Sequence, residues 1–329
     1  FFSGISVPTV AYLGAFIIVV LVLLVPLFKT FNMFKFTCSN FKESNKELLI
    51  FSFPLIFTAI GATLLSYFDT LMLTYYDTLV EVGVYNIVYP TALLLVLIGS
   101  SIGVALLPVI TRLFEEGKKD IISHAFSKIY VYVGFVIIPA IVILILLSEY
   151  IIEIFFGEEY LLGLIVFNVL AFGSLFKIFF AIHNKALIAI GRPVFIFWVY
   201  VFGAVSNVVL NLFLIPLYSL TGAGVATVLS FMLMFGVSFI MLRREVGLVF
   251  PISKFLMIVL CSLSIVISVH IFWLLSFNIY VLTALGLIVG AGLYIGLVLI
   301  FRIIDVIEFF KMFGIDIEDV FEKMMRRLL

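Results

Sequence analysis

The sequence predicts an all-helical protein built for a membrane, and three observations carry that expectation. Of its 329 residues, 65% are hydrophobic and 12% charged, for a mean hydropathy of +1.37. A water-soluble domain of this size could not hide so much apolar surface. The apolar residues gather into runs of about 20, the helix length that crosses a hydrocarbon core of roughly 30 Å. The basic residues fall on alternate breaks between those runs. Lipid offers no partner to backbone N–H and C=O groups, so each run must be a helix.

By the length criterion about nine spans are expected, at 5–28, 48–76, 84–110, 125–148, 161–184, 194–215, 222–242, 255–276 and 280–301. Pro26, Pro54, Pro90, Pro108 and Pro139 lie inside or at the ends of several, as in kinked membrane helices. The breaks are too short for a folded domain outside the membrane. If loop 29–47 is cytoplasmic, the inner segments hold 18 of the 19 Lys and Arg, and the remaining one is Lys177. The outer breaks instead carry Asp77, Glu81, Glu149, Glu153, Glu158 and Glu159. This positive-inside pattern predicts a multi-pass protein of the cell membrane with a cytoplasmic C-terminus.

Beyond Phe301 the pattern changes. Ile303, Ile307, Phe310, Phe313, Ile317, Phe321 and Met324 recur at helical spacing among charged positions, which predicts an amphipathic inner-surface helix over 302–329. The stretch Arg112–Asp120 reads as a smaller version of the same device. The chain opens at Phe1, without Met and almost within a span, so residues upstream are expected.

The stretch Gly191–Ser230 shows how spans pair. Its two apolar runs are separated by Pro216-Leu217-Tyr218-Ser219-Leu220-Thr221. Asn207 and Asn211 lie one turn apart in the first run, on the stripe of Tyr200, Gly203 and Ala204. Gly222, Ala226 and Ser230 repeat at four-residue spacing in the second. Small residues let backbones approach and asparagines turn toward other helices, so a tightly packed hairpin is expected.

Enzyme chemistry finds no foothold. There is no Gly-rich phosphate loop followed by Lys-Ser/Thr and no His-Glu-x-x-His. His124, His183 and His270 are scattered, and Cys38 and Cys261 are too few for a disulfide scaffold or zinc site. Neither a cofactor nor a metal is called for, and nothing points to nucleic acid.

What remains are polar residues inside spans, each a functional hypothesis in lipid. Lys177 sits in the fifth span, some two turns before its inner end, with Asn184 seven residues later on the same face. Either its ammonium snorkels to the inner headgroups, or it stands in an aqueous cavity as the partner of an anionic substrate group. Asp69, in the outer half of the second span, is either an interfacial residue bonding a helix end or neighbour, or a proton or cation site. Asn207 and Asn211 can be interhelical hydrogen-bond glue or ligands. Tyr67, Tyr75, Tyr76, Tyr85 and Tyr89 can form an aromatic belt or line a sugar-binding vestibule.

The segment SYFDTLMLTYYDTLVEVGVYNIVY at 66–89 resembles the polysaccharide and oligosaccharide flippases of the multidrug/oligosaccharidyl-lipid/polysaccharide exporter superfamily. In those proteins an Asp near a helix end precedes a short loop and a Val-Gly-x-Tyr element, matched here by Asp69 and Val82-Gly83-Val84-Tyr85. LLPVITRLFEEG (106–117), NKALIAIGRP (184–193) and NLFLIPLYSLTGAGVATVLS (211–230) are similar to the helix ends and hairpin that follow. The resemblance covers about 48–242.

It implies a bundle like that of the multidrug exporters, with two six-helix lobes around a central cavity and two extra C-terminal helices. On that map 1–28 is the last helix of the first lobe and 29–47 a cytoplasmic linker. Residues 48–242 form the second lobe, 243–301 the extra pair and 302–329 the tail. The implied activity is flipping of a polyprenyl-linked oligosaccharide from inner to outer leaflet. Glycosyltransferases or a polymerase of a polysaccharide pathway would then be partners, besides membrane lipids. Related lipid II flippases place an Arg in the helix matching 84–110, which has no cation here, so a polysaccharide unit is favoured. Expected substrate contacts are Lys177, Asn184, Asn207, Asn211 and Tyr85, with Asp69 as coupling-ion site. A multidrug exporter, which would want acids in its cavity, and a non-transporting membrane subunit are the alternatives.

Overall fold

The computed structural model describes residues 6–30, 41–275 and 278–305, and every regular element among them is helical. The chain divides into two compact units, Phe1–Ser52 and Phe53–Leu329. The first holds helix α1 (Ser6–Thr30) and the start of α2 (Phe41–Tyr76). Most of the described side chains of α1 are apolar and exposed, Phe16 and Leu23 among them, as lipid-facing positions should be.

The second unit continues α2 and adds α3 (Leu79–Ala92), α4 (Val96–Glu115), α5 (Lys119–Leu146), α6 (Ser148–Phe156), α7 (Leu164–Ala189), α8 (Pro193–Val246), α9 (Ile252–Trp273) and α10 (Ile279–Ile300). Six of the described helices are long and apolar enough to cross a membrane, counting α7 with the 3-10 turn Glu158–Gly163 that precedes it. That is fewer than the nine spans the sequence suggests, and one of the differences, two expected spans merged in α8, has a local cause.

The expected span 84–110 is two helices. Pro90 has no N–H to give Asn86, and past it the ladder tightens to i→i+3 bonds, Leu94 to Thr91 and Val96 to Leu93. In contrast, the expected spans 194–215 and 222–242 fall within the single element α8, interrupted at Ser219, whose φ of 50° and ψ of −131° are not helical. At 1.5 Å per residue 54 residues would reach about 80 Å, far beyond one crossing, so the break is where the chain turns back. The register across the turn is that of an antiparallel hairpin. Gly203 lies against Met234, Asn207 bonds Thr227 and Gly222 lies against Leu214.

One further expectation changes. Arg112–Asp120 is no separate surface helix: Arg112 lies in the last turn of α4, which ends at Glu115, Gly117 takes a left-handed φ of 72° just past it, and Lys119 begins α5. The amphipathic helix expected over 302–329 falls almost wholly outside the described residues, of which Arg302 has a φ of 48°. Residues 306–329 lie outside the described part.

Helix α7 is the platform of the second unit. Missing side chains on α4 let it come close: a Cβ on Gly99 would stand 2.9 Å from the Ile178 carbonyl oxygen, and one on Gly103 3.2 Å from that of Ala181. Phe126, Tyr130, Phe179, Phe235, Phe250 and Phe255 pack as one aromatic cluster between α5, α7, α8 and the start of α9. Side chains also tie down loops: Ser123 donates to the Gly247 carbonyl at 2.7 Å and Ser127 to that of Val249 at 2.9 Å. Helices α9 and α10 pair through Gly286 against Val269 and Gly290 against Ile265.

The α8 hairpin provides a direct check. A Cβ on Gly222 would meet the Leu214 carbonyl oxygen at 2.2 Å, a backbone atom that cannot swing away. Gly222→Ala should destabilise the protein by about 1–3 kcal/mol, read as a lower thermal midpoint in detergent. Gly236→Ala, with nothing within 4 Å, should be neutral or stabilising.

Candidate functional site

Two polar centres stand inside the second unit, and residues expected to matter from sequence divide between them. The first is built around Asp69, on α2 about two turns before its end at Tyr76. Its side chain has no exposed surface. A carboxylate in that position requires donors on all sides, because an unpartnered buried charge costs several kcal/mol. Tyr85, on α3, donates its hydroxyl to Oδ2 at 2.7 Å, and Thr227 donates to the same oxygen at 2.5 Å. Asn207 and Asn211 donate their Nδ2 groups to Oδ1 at 3.0 and 2.7 Å.

Local structure explains the convergence. Four-residue spacing puts Asn207 and Asn211 on one face of the first half of α8, and the turn at Ser219 brings Thr227 back beside them. The amides also bond each other, Asn211 Nδ2 to Asn207 Oδ1 at 3.1 Å, and Asn207 Nδ2 reaches Thr227 Oγ1 at 3.3 Å. All four donors to Asp69 are neutral. Asn211 Oδ1 is buried and has no hydrogen-bond partner, so one acceptor of the cluster is left over. Asp69 thus bonds its neighbours, as one of its two sequence readings has it, and forms an internal knot joining α2, α3 and both halves of α8.

The second centre is a cavity of about 250 Å³ beside α7, lined among others by Tyr89, Ser100, Lys177, Asn184, Lys185 and Tyr200. Lys177 lies twelve residues before the end of α7 at Ala189, deeper than the two turns the sequence suggests, because α7 runs past Asn184. About 18 Å of helix lies between it and that end. The ammonium faces the cavity. It donates to the Tyr89 hydroxyl at 3.2 Å and sits 5.3 Å from the Tyr89 ring centre and 4.6 Å from that of Phe231. No carboxylate among the described residues pairs with it. Asn184 faces the same cavity and donates to the Tyr200 hydroxyl at 3.3 Å.

The tyrosines expected as one cluster separate. Tyr67, Tyr75 and Tyr76 are exposed on α2, whereas Tyr85 is buried against Asp69 and Tyr89 faces Lys177. The Tyr85 and Tyr89 rings are 5.6 Å apart, so the two centres adjoin.

Two participants escaped the sequence reading. Thr227 completes the Asp69 knot, and its signal was its position opposite Asn207 across the hairpin turn. His183 is fully buried: its Nδ1 lies 2.8 Å from Ser238 Oγ and its Nε2 2.6 Å from Tyr130 Oη. Ser238 already donates to the Phe235 carbonyl, so Nδ1 carries the hydrogen and Tyr130 donates to Nε2. An ionisable residue inside a span was the available signal.

The donors of the knot can be tested singly. Tyr85→Phe leaves one carboxylate oxygen short of a donor and should cost about 1–3 kcal/mol, read as a lower thermal midpoint.

Comparison with known proteins gives three findings. A family model described as polysaccharide biosynthesis protein matches residues 2–114. The lipid II flippase MurJ of Bacillus subtilis is 28% identical over 73% of this chain and 47% of its own length. A probable low-salt glycan biosynthesis flippase, Agl15 of Haloferax volcanii, is 24% identical over 58% of this chain and 40% of its own. Among solved structures, lipid II flippase MurJ in an inward closed conformation superposes with a TM-score of 0.65 at 20% identity, covering 79% of this chain and 55% of that one. The chain spans about half the length of the curated relatives it matches.

Proposed function

We infer that this chain, a relative of the flippases of the multidrug/oligosaccharidyl-lipid/polysaccharide exporter superfamily, serves to move a polyprenyl-linked oligosaccharide from the inner to the outer leaflet. On this reading it supplies the last helix of one lobe, a complete second lobe and an additional helix pair, about nine crossings in all. It would sit in the cell membrane with its basic segments and C-terminus inside, beside glycosyltransferases or a polymerase of a polysaccharide pathway. Inward- and outward-open arrangements would alternate around a midplane site, as in other transporters.

The observation that carries the reading is Lys177. A half-buried ammonium facing a cavity, held by a hydroxyl and two aromatic faces but by no acid among the described residues, is poised for an anion. The diphosphate of a polyprenyl-linked glycan is such a group, and Asn184 supplies an amide on the same wall. The acid that an organic-cation exporter would need is turned away, since Asp69 spends both oxygens on internal donors. In a Lys177→Ala strain with normal membrane insertion, the flipped intermediate and surface polysaccharide should be depleted. Normal surface polysaccharide in that strain would refute the assignment.

Coupling to a proton or cation is assigned to Asp69. The Asn207 and Asn211 amide nitrogens and the Tyr85 and Thr227 hydroxyls now donate to that carboxylate, and the unpartnered Asn211 Oδ1 is the acceptor left over for a small hard cation. A ligand that binds the native state raises its stability as its concentration exceeds Kd. The melting temperature of the wild type should therefore rise in NaCl relative to choline chloride, and that rise should vanish in Asp69→Asn. An equal response in both proteins would remove Asp69 from the coupling site.

A further inference from the structure

Lys185 also lines the cavity, but the proposal above gives it no part. It makes no hydrogen bond or ion pair with another described side chain, so a second ammonium of the cavity has no partner among the described residues. Its stem has a built path. Gly103 on α4 lacks a side chain where Lys185 passes, and a Cβ there would stand 2.9 Å from Lys185 Cγ and 3.3 Å from its Cβ. The gap keeps the half-buried lysine between α4 and α7 with its head on the cavity.

The two lysines are eight residues apart, about 12 Å along the helix, much more than one diphosphate spans. Lys185 is four residues from the end of α7 at Ala189, and Lys177 twelve. Their surroundings differ accordingly. Lys177 is capped by two rings and a hydroxyl, where a low dielectric strengthens attraction to an anion. Lys185 has no such cap among the described residues.

We propose that Lys185 is a second anion station of this cavity, which takes the diphosphate headgroup of an incoming lipid-linked glycan near the end of α7 and passes it to Lys177. The proposal rests on the flippase reading and on Lys177 as the inner counter-charge. A charge at the entry governs the association rate and its salt dependence, whereas a desolvated partner governs dissociation.

The test is stopped-flow binding of dansyl-labelled farnesyl diphosphate to the purified full-length protein in nanodiscs. Lys185→Gln should lower the association rate constant about threefold or more at low salt and flatten its salt dependence, with dissociation changed less than about twofold. Lys177→Gln should instead speed dissociation about tenfold or more, and Lys185→Arg should behave as wild type. Dansyl-labelled farnesol, which carries no charge, should bind the wild type and Lys185→Gln at the same rate. A Lys185→Gln protein with unchanged association and salt dependence, beside a weakened Lys177→Gln, overturns the second station and leaves the first. Equal slowing of farnesol means that the substitution acts through packing, and also overturns it. If neither lysine affects diphosphate binding, the anion-binding reading of the cavity falls with it.

Discussion

A carboxylate with no exposed surface inside a membrane bundle constrains everything around it. Asp69 meets that constraint with four neutral donors drawn from three segments of chain besides its own. Each donor binds a structural choice: Tyr85 requires α3 to face α2, the asparagine pair sets the rotation of the first half of α8, and Thr227 requires the second half to return in register. A slip of the hairpin by one turn would leave the carboxylate short of a donor, a penalty that lipid cannot relieve.

Close approach of backbones supports the same arrangement. Gly222 lets the two halves of α8 nearly touch, and Gly99 and Gly103 let α4 settle on α7. Packing of this kind replaces the hydrophobic effect, which cannot drive helices together when the solvent is itself apolar. Gly103 does more than permit contact, because the space it leaves is occupied by the stem of Lys185.

The protein treats its two kinds of buried charge in opposite ways. The acid is sealed among donors, and the bases open onto a cavity without acidic partners. The two centres adjoin across Tyr85 and Tyr89, whose rings are 5.6 Å apart.

Much of this was legible in residue order. Composition and run length alone required helices in lipid, since no other element satisfies its backbone there. The four-residue spacing of Asn207 and Asn211 and the break near Ser219 announced a hairpin with an inward polar face. Pro90, an evident break, was read as a kink within one span, though it ends α3 two residues later. Lys177 stands farther from the end of its helix than hydropathy suggests, because hydropathy fades at Asn184 while the helix continues to Ala189. Sequence by itself determined which residues are polar inside lipid, and therefore which had to find partners. Only the tertiary structure decided who those partners are. The donors to Asp69 come from positions up to 158 residues away, and whether a polar group is sealed or faces a cavity depends on neighbours that no local spacing specifies.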